Sequence, residues 1–161
     1  MLKMRFLSFA LLAIFVVGGL SAGSTSVLSA EKDGIVVKDA WSRARPDGAK
    51  VGGAFLMIRN KGDKTDRLLE VRSPVAKRTE IHESLMKDGV MSMAPIDDLP
   101  VPAGDKVMLK PGGLHIMLMG LNENLKKGHE FPLILVFEHA GDIKVMVHVK
   151  DAGAMSGGHK N

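Results

Sequence analysis

Short apolar runs alternate with turn residues along most of the chain. Turn signals that contain Gly or Pro recur roughly every ten residues, a spacing typical of an all-β sandwich or barrel. Asp88-Gly89, with an apolar pair on each side, predicts a two-residue hairpin turn. Residues 74–80 are the one segment where the pattern also allows a short helix. The predicted strands include residues 54–58, 107–109, 114–118, 131–137 and 143–149.

The first thirty residues have the pattern of an export signal. Lys3 and Arg5 precede an apolar run over residues 6–20, and small residues follow over 21–26. This order of segments is typical of a cleavable signal peptide, which we predict over residues 1–30 with its cleavage site left open. The alternative is an uncleaved anchor. It is disfavoured because the apolar run is shorter than the ~20 residues that span a bilayer.

Composition excludes several classes of function. The chain has no Cys, which excludes disulfides, thiolate metal sites, cysteine nucleophiles and lipid attachment to an N-terminal Cys. It contains one Trp and no Tyr, so a base-stacking platform for single-stranded nucleic acid is not expected. Loss of the signal peptide removes two of the 22 basic residues and lowers the net charge of +4 by two. No basic run is present, and we expect no nucleic-acid partner.

Histidine and methionine alternate with aliphatic residues in one predicted strand, residues 114–119. Side chains on a strand point alternately to its two faces, so Ile116 and Leu118 share the core face. The opposite face carries His115, Met117 and Met119. A solvent-facing row usually consists of Lys, Thr or Glu. The His and Met row found here therefore suggests a functional role rather than an ordinary solvated face.

Further residues of the same types lie upstream. Met91 and Met93 share a face by the same alternation, and His82 lies on the far arm of the predicted hairpin. Thioether sulfur selects Cu(I), and imidazole also suits copper. The alternative is that methionines fill gaps in the core. Of the 11 methionines in the chain, we expect that role for Met57, Met86, Met108 and Met146.

Four of these residues stand at the spacing of a known family. The order is His82, ten residues, Met93, twenty-one residues, His115, one residue and Met117. It resembles the H-x10-M-x21-H-x-M signature of the periplasmic copper chaperone family PCuAC. The resemblance extends over roughly residues 35–150, nearly the whole mature domain, because the flanks are similar too. The similar flanks include residues 40–44, 60–68, 73–76, 101–104 and 111–118.

The resemblance implies an all-β, cupredoxin-like Greek-key β-barrel or sandwich over residues 31–150. It implies that one Cu(I) per chain is held at a surface site by His82, Met93, His115 and Met117. The implied function is periplasmic carriage of copper to the dinuclear copper centre of cytochrome c oxidase subunit II, directly or through another metallochaperone. The alternative is an exported copper-buffering or structural module without metal transfer. No membrane partner is expected after signal cleavage.

The remaining candidates leave some questions open. The sequence lacks the motifs H-E-x-x-H and G-x-S-x-G and has no P-loop, so we do not expect an enzyme. Residues 151–161 are predicted to be a flexible tail. His139 and His148 are expected to be solvated strand residues. Additional metal binding is left open for Met91, Met119, Met155 and His159.

Overall fold

Every regular element in the described part of the chain is a β-strand. The computed structural model describes residues 29–157, apart from the side chain of Lys87. Within that range no helix is long and apolar enough to cross a bilayer. Residues 74–80 do not form a helix either. The strands are β1 (Ser29–Lys32), β2 (Ile35–Arg43), β3 (Val51–Asn60), β4 (Asp66–Arg72), β5 (Ala76–Lys87), β6 (Val90–Pro95), β7 (Leu99–Val101), β8 (Lys106–Leu109), β9 (Leu114–Leu121), β10 (Glu130–Phe137) and β11 (Gly141–Lys150).

The strands form one sheet with a non-sequential order. The path runs β6-β5-β9-β3-β2-β11-β10-β4-β7, with β1 added to β2 and β8 to β3. Among the described strands, β2 and β11 are the one parallel pair. The all-β prediction is confirmed. The sheet is not closed into a barrel by strand pairing, because β6 and β7 are its two edges.

The core lies on one face of the sheet, which folds over so that distant strands meet. In β10, Phe131, Leu133, Leu135 and Phe137 are buried and alternate with more exposed residues. The same cluster contains aliphatic residues from β4, β5, β7 and β9, among them Leu68, Ile81, Val101 and Ile116. Burial of one such side chain contributes about 1.5–3 kcal/mol relative to exposure. This shared core places β5 and β9 rigidly side by side.

The predicted hairpin joins β5 to β6. Asp88 and Gly89 both have positive φ, at 51° and 77°. These are the angles that a two-residue type I′ turn requires, and the hairpin prediction is confirmed. β9 pairs with β5 only as far as Glu83, whereas β6 pairs with β5 up to Lys87. The outer end of the hairpin therefore projects beyond its neighbouring strand.

The chain ends are described only in part. Residues 1–28 of the predicted signal peptide lie outside the described residues, as does His159. β1 begins at Ser29, so the predicted boundary before residue 31 falls within a strand. After β11 the chain returns to β2, where Arg43 donates from Nε to the carbonyl of Ala154 at 2.7 Å and from Nη2 to Met155 Sδ at 3.0 Å. The described part of the predicted tail is thus anchored by Arg43.

Candidate metal centre

Two histidines meet on adjacent strands. His82 of β5 and His115 of β9 are register partners in the antiparallel pairing. Their ring centroids are 5.9 Å apart, and the ring planes are inclined by 52°. Directly opposite residues project to the same face of a sheet. The two imidazoles are therefore neighbours by virtue of strand register, although 32 residues separate them in sequence.

Met93 and Met117 occupy diagonal positions around His82. Met93 is the register partner of Ser84 on β5, and Met117 is the partner of Glu80. Each methionine is thus two positions away from His82 on a neighbouring strand. Diagonal neighbours lie within reach of long side chains, and all four predicted ligands share one face. The structure brings the four residues into one neighbourhood.

Each imidazole has one nitrogen occupied and one without a partner. His82 Nε2 lies 2.8 Å from Glu80 Oε2, and His115 Nδ1 lies 2.9 Å from the carbonyl oxygen of Gly113. Carboxylate and carbonyl oxygens only accept, so these nitrogens carry the ring protons. His82 Nδ1 and His115 Nε2 are buried without a hydrogen-bond partner. In a neutral imidazole with its proton on the occupied nitrogen, the other nitrogen carries the lone pair through which imidazole binds a metal.

Glu80 is a site residue that the sequence analysis missed. Its carboxylate accepts from His82 through Oε2 and pairs with Arg78 Nε through Oε1 at 3.1 Å. Arg78 also donates from Nη2 to Met119 Sδ at 3.3 Å. An acidic residue that orients a metal-binding histidine also raises its basicity. The alternation Arg78-x-Glu80-x-His82 on one strand face is the signal that could have indicated this role.

The site is covered at one end and open at the other. His115 is only 5% exposed, whereas Met93 is 55% exposed. Met93 therefore lies at the surface, whereas His115 lies beneath it. Within the described residues, no group of three or more His, Asp or Glu side chains forms a site for a harder metal. The residues that strand register brings together here are two histidines and two methionines.

Three predictions outside the site are wrong. Met86 and Met108 do not fill the core, because 66% and 47% of their surfaces are exposed. Met86 lies in the projecting hairpin and Met108 in β8. His148 is not simply solvated, since its Nδ1 lies 2.6 Å from Glu130 Oε1 and its Nε2 is buried. Cross-strand pairing of Glu130 with His148, which local sequence does not reveal, produces this contact.

The fold is that of a domain of the PCuAC class. The structure matches the "apo PmoF2 PCuAC domain" with a TM-score of 0.66 and 25% identity, over 80% of this chain and 98% of that one. It also matches "CuI-DR1885 from Deinococcus Radiodurans", with a TM-score of 0.54 and 28% identity, over 70% of this chain and 75% of that one. The "Copper-bound PCuAC domain from PmoF2" matches in fold, with a TM-score of 0.66 and 24% identity, over 76% of this chain and 97% of that one.

Sequence comparison then gives the family. A family described as "Putative lipoprotein LpqE-like" matches residues 35–149. The protein named "Putative lipoprotein Lxx21020", from Leifsonia xyli subsp. xyli, is 34% identical over 132 residues, which are 81% of this chain and 76% of that protein. The chain belongs to the LpqE-like family. Those names describe lipoproteins, whereas the 161 residues of this sequence include no Cys.

Proposed function

We propose that this protein binds one Cu(I) ion per chain through His82, Met93, His115 and Met117, and carries it as a metallochaperone rather than as an enzyme. The observation that supports the proposal best is the pair of buried, unpartnered nitrogens on His82 and His115. A buried polar atom without a partner is costly in a folded protein. A metal ion that binds to both nitrogens removes that cost.

The donor set favours Cu(I) over other metals. Thioether sulfur is a soft donor, imidazole is borderline, and the combination suits a soft monovalent ion. All four proposed ligands are neutral when bound, so the charge of the ion is balanced from outside the ligand set. Glu80 supplies a carboxylate in contact with His82. The same carboxylate also pairs with Arg78, so Glu80 offsets only part of the charge of a monovalent ion.

The uneven exposure of the ligands suits a carrier. A carrier must release its metal by ligand exchange with a receiving protein, and exchange requires at least one accessible ligand. Met93 lies on the edge strand β6 and is 55% exposed, whereas the two imidazoles are largely covered. Exchange would therefore begin at Met93, with the histidines holding the ion until the receiving ligands are in place.

Comparison with known proteins supports the copper assignment and points to export. Solved structures of this fold include one described as copper-bound and one described as a Cu(I) form. A location outside the cytoplasm agrees with the predicted signal peptide and with relatives named as lipoproteins. We propose the periplasm as the compartment, with no membrane attachment after signal cleavage. The proposed recipient is the dinuclear copper centre of cytochrome c oxidase subunit II, reached directly or through another metallochaperone.

Anaerobic competition with a chromophoric Cu(I) chelator tests the binding proposal. The site variant is His82→Ala/His115→Ala, and the matched control is His129→Ala/His139→Ala, which removes two exposed histidines elsewhere. Parent and control should bind one tight equivalent of Cu(I), and the site variant should lose it while keeping the same far-ultraviolet circular dichroism. Tight binding retained in the site variant would refute the ligand assignment. No tight binding in the parent would favour a structural module.

A separate transfer experiment tests the recipient. The Cu(I)-loaded protein is mixed with the soluble copper domain of oxidase subunit II in its metal-free form, and copper is measured in each after chromatographic separation. We expect copper to move to the oxidase domain, and to move more slowly from a small Cu(I)-chelator complex of similar affinity. If copper stays on the chaperone, the oxidase domain is ruled out as the recipient, and the binding proposal is unaffected.

A further inference from the structure

Two exposed methionines face each other at the outer end of the β5–β6 hairpin. Met86 and Met91 are register partners, and they are 66% and 55% exposed. Register and alternation place both on the face that carries His82 and Met93. The methionine side chain is apolar and is normally buried when it serves packing. Packing therefore does not explain why both members of this cross-strand pair are so exposed. The pair lies next to the proposed copper site and outside its ligand set.

We propose that Met86 and Met91 form an outer, weaker soft-metal site, through which Cu(I) reaches or leaves the inner site. The inference rests on the proposed function of the inner site. It adds a second binding site for the same soft ion, made of thioethers alone. Met93, which lies between the two sites, is the ligand that connects them.

The distribution of sulfur on the hairpin supports a metal role over a purely apolar contact. Both faces of the hairpin end carry exposed apolar side chains, but these differ in residue type. Leu85 and Val90, also exposed, lie on the face opposite to Met86 and Met91. A contact surface for another protein would be served by either kind of side chain. Thioethers occur only on the face shared with the histidines, where a soft donor has a use.

The geometry allows three thioethers to reach one ion. Cβ atoms of directly opposite residues are about 4.5–5.5 Å apart, and the long, unbranched side chain of methionine adapts its conformation readily. Met93 is two positions from Met91 on β6 and diagonal to Met86 on β5. From that position its sulfur can turn either toward the methionine pair or toward His82. The backbone does not have to move.

Transfer between the two sites would be a sequence of ligand exchanges. The sulfur of Met93 bonds to the ion held by Met86 and Met91, and the bonds to that pair then break as His82 Nδ1, His115 Nε2 and the sulfur of Met117 bond to it. The ion stays Cu(I) throughout, so no electron is transferred. Thioether sulfur carries no proton, and neutral imidazoles with their protons on His82 Nε2 and His115 Nδ1 bind the ion without releasing one. The reverse order describes release.

Methionine-methyl NMR during anaerobic titration with Cu(I), and in parallel with Ag(I), tests the proposal. The variant is Met86→Leu/Met91→Leu, which conserves apolar volume. The control is Met108→Leu, a similarly exposed methionine on β8. In the parent and the control we expect a tight first equivalent and a weaker second one, which shifts the methyl signals of Met86 and Met91. In the double variant the second equivalent should be lost and the first retained.

Each other outcome has a defined meaning. A second equivalent that persists in Met86→Leu/Met91→Leu, or methyl signals of Met86 and Met91 that never move, would overturn the outer site. Unchanged stoichiometry with slower transfer to a protein acceptor would also overturn it, and would identify the pair as a docking surface. Failure of the proposed function is distinguishable, because His82→Ala/His115→Ala would then retain the first equivalent whatever the behaviour of Met86 and Met91.

Discussion

His82 and His115 stand directly opposite each other on β5 and β9, with their ring centroids 5.9 Å apart and one unpartnered nitrogen on each ring. Both strands contribute to the shared core, since Ile81 and Ile116 are buried next to the two histidines in sequence. The imidazoles are therefore held in place before any ion arrives. Preorganisation of this kind lowers the entropic cost of binding.

Replacement of Glu80 by Gln should weaken Cu(I) binding without unfolding the protein. The Glu80 carboxylate holds the proton of His82 on Nε2 and so leaves Nδ1 free. A neutral amide accepts the same hydrogen bond less strongly and can also present its NH2 group. Loss of such an outer contact typically costs 10–100-fold in metal affinity, the range that we expect for Glu80→Gln. Chelator competition gives the value.

The matched control for this prediction is Glu83→Gln. Glu83 adjoins His82 in β5 but projects from the other face, because side chains alternate along a strand. Its replacement removes the same charge at a similar position in sequence and should leave Cu(I) affinity nearly unchanged. An equal effect of the two variants would show that general electrostatics, rather than orientation of His82, explains the loss.

Local alternation was sufficient to predict which residues share a face. In β9, Ile116 and Leu118 are fully buried, and His115 and Met117 project to the other side, as predicted. The hairpin at Asp88-Gly89 was equally predictable, because few residues other than Asn, Asp and Gly accept positive φ at both turn positions. These features depend only on neighbours in sequence, and the local sequence is therefore enough to predict them.

Pairing between distant segments could not be predicted in the same way. The insertion of β9 between β5 and β3 creates the contact between His82 and His115, and hydrophobic periodicity contains no information on that order. The burial of His115 follows from the same packing. The exposure of Met86 was also missed, since its position beyond the end of β9 depends on strand length as well as on residue type. Resemblance to a family supplied the ligand set that the pattern alone left open.

Cu(I) should bind far more tightly than Zn²⁺. Structural zinc sites use thiolate, imidazole and carboxylate ligands, and thioether is a poor substitute for any of them. Here the two histidines are flanked by Met93 and Met117, and within the described residues no third His, Asp or Glu joins them in a metal-binding group. Parallel titrations with the two metals measure the difference. Comparable affinities would contradict a role for the methionines as ligands.

Cu(I) should also raise the unfolding temperature of the protein. Binding to the native state alone stabilises it by about 2.7 kcal/mol when the free ion exceeds its dissociation constant a hundredfold. Trp41, the single tryptophan, is buried against Phe55 with ring centroids 4.6 Å apart, so its fluorescence reports global unfolding. The variant His82→Ala/His115→Ala should show no such shift under the same reducing conditions. A temperature shift of equal size in that variant would show that the stabilising Cu(I) binds at a site other than these two histidines.

Asp66 should stabilise the fold independently of copper. Its buried carboxylate accepts backbone N–H groups from Arg67 at 2.7 Å and from His139 and Ala140 at 3.0 Å each, which ties the start of β4 to the turn between β10 and β11. Asp66→Ala leaves these donors without an acceptor and should lower the free energy of unfolding by about 1–3 kcal/mol. Asp66→Asn keeps one acceptor oxygen and should fall between parent and Asp66→Ala.

Denaturant unfolding followed by Trp41 fluorescence measures these differences, and Asp63→Ala is the matched control. Asp63 is exposed in the loop that precedes β4, where a surface substitution typically changes stability by less than about 0.5 kcal/mol. None of the three substitutions changes a proposed ligand, so Cu(I) affinity should be the same in all three variants. A loss of stability in Asp63→Ala as large as that in Asp66→Ala would attribute the effect to loop charge. A loss of stability only in the Asp66 variants would show that the hydrogen bonds from the three backbone N–H groups are the cause.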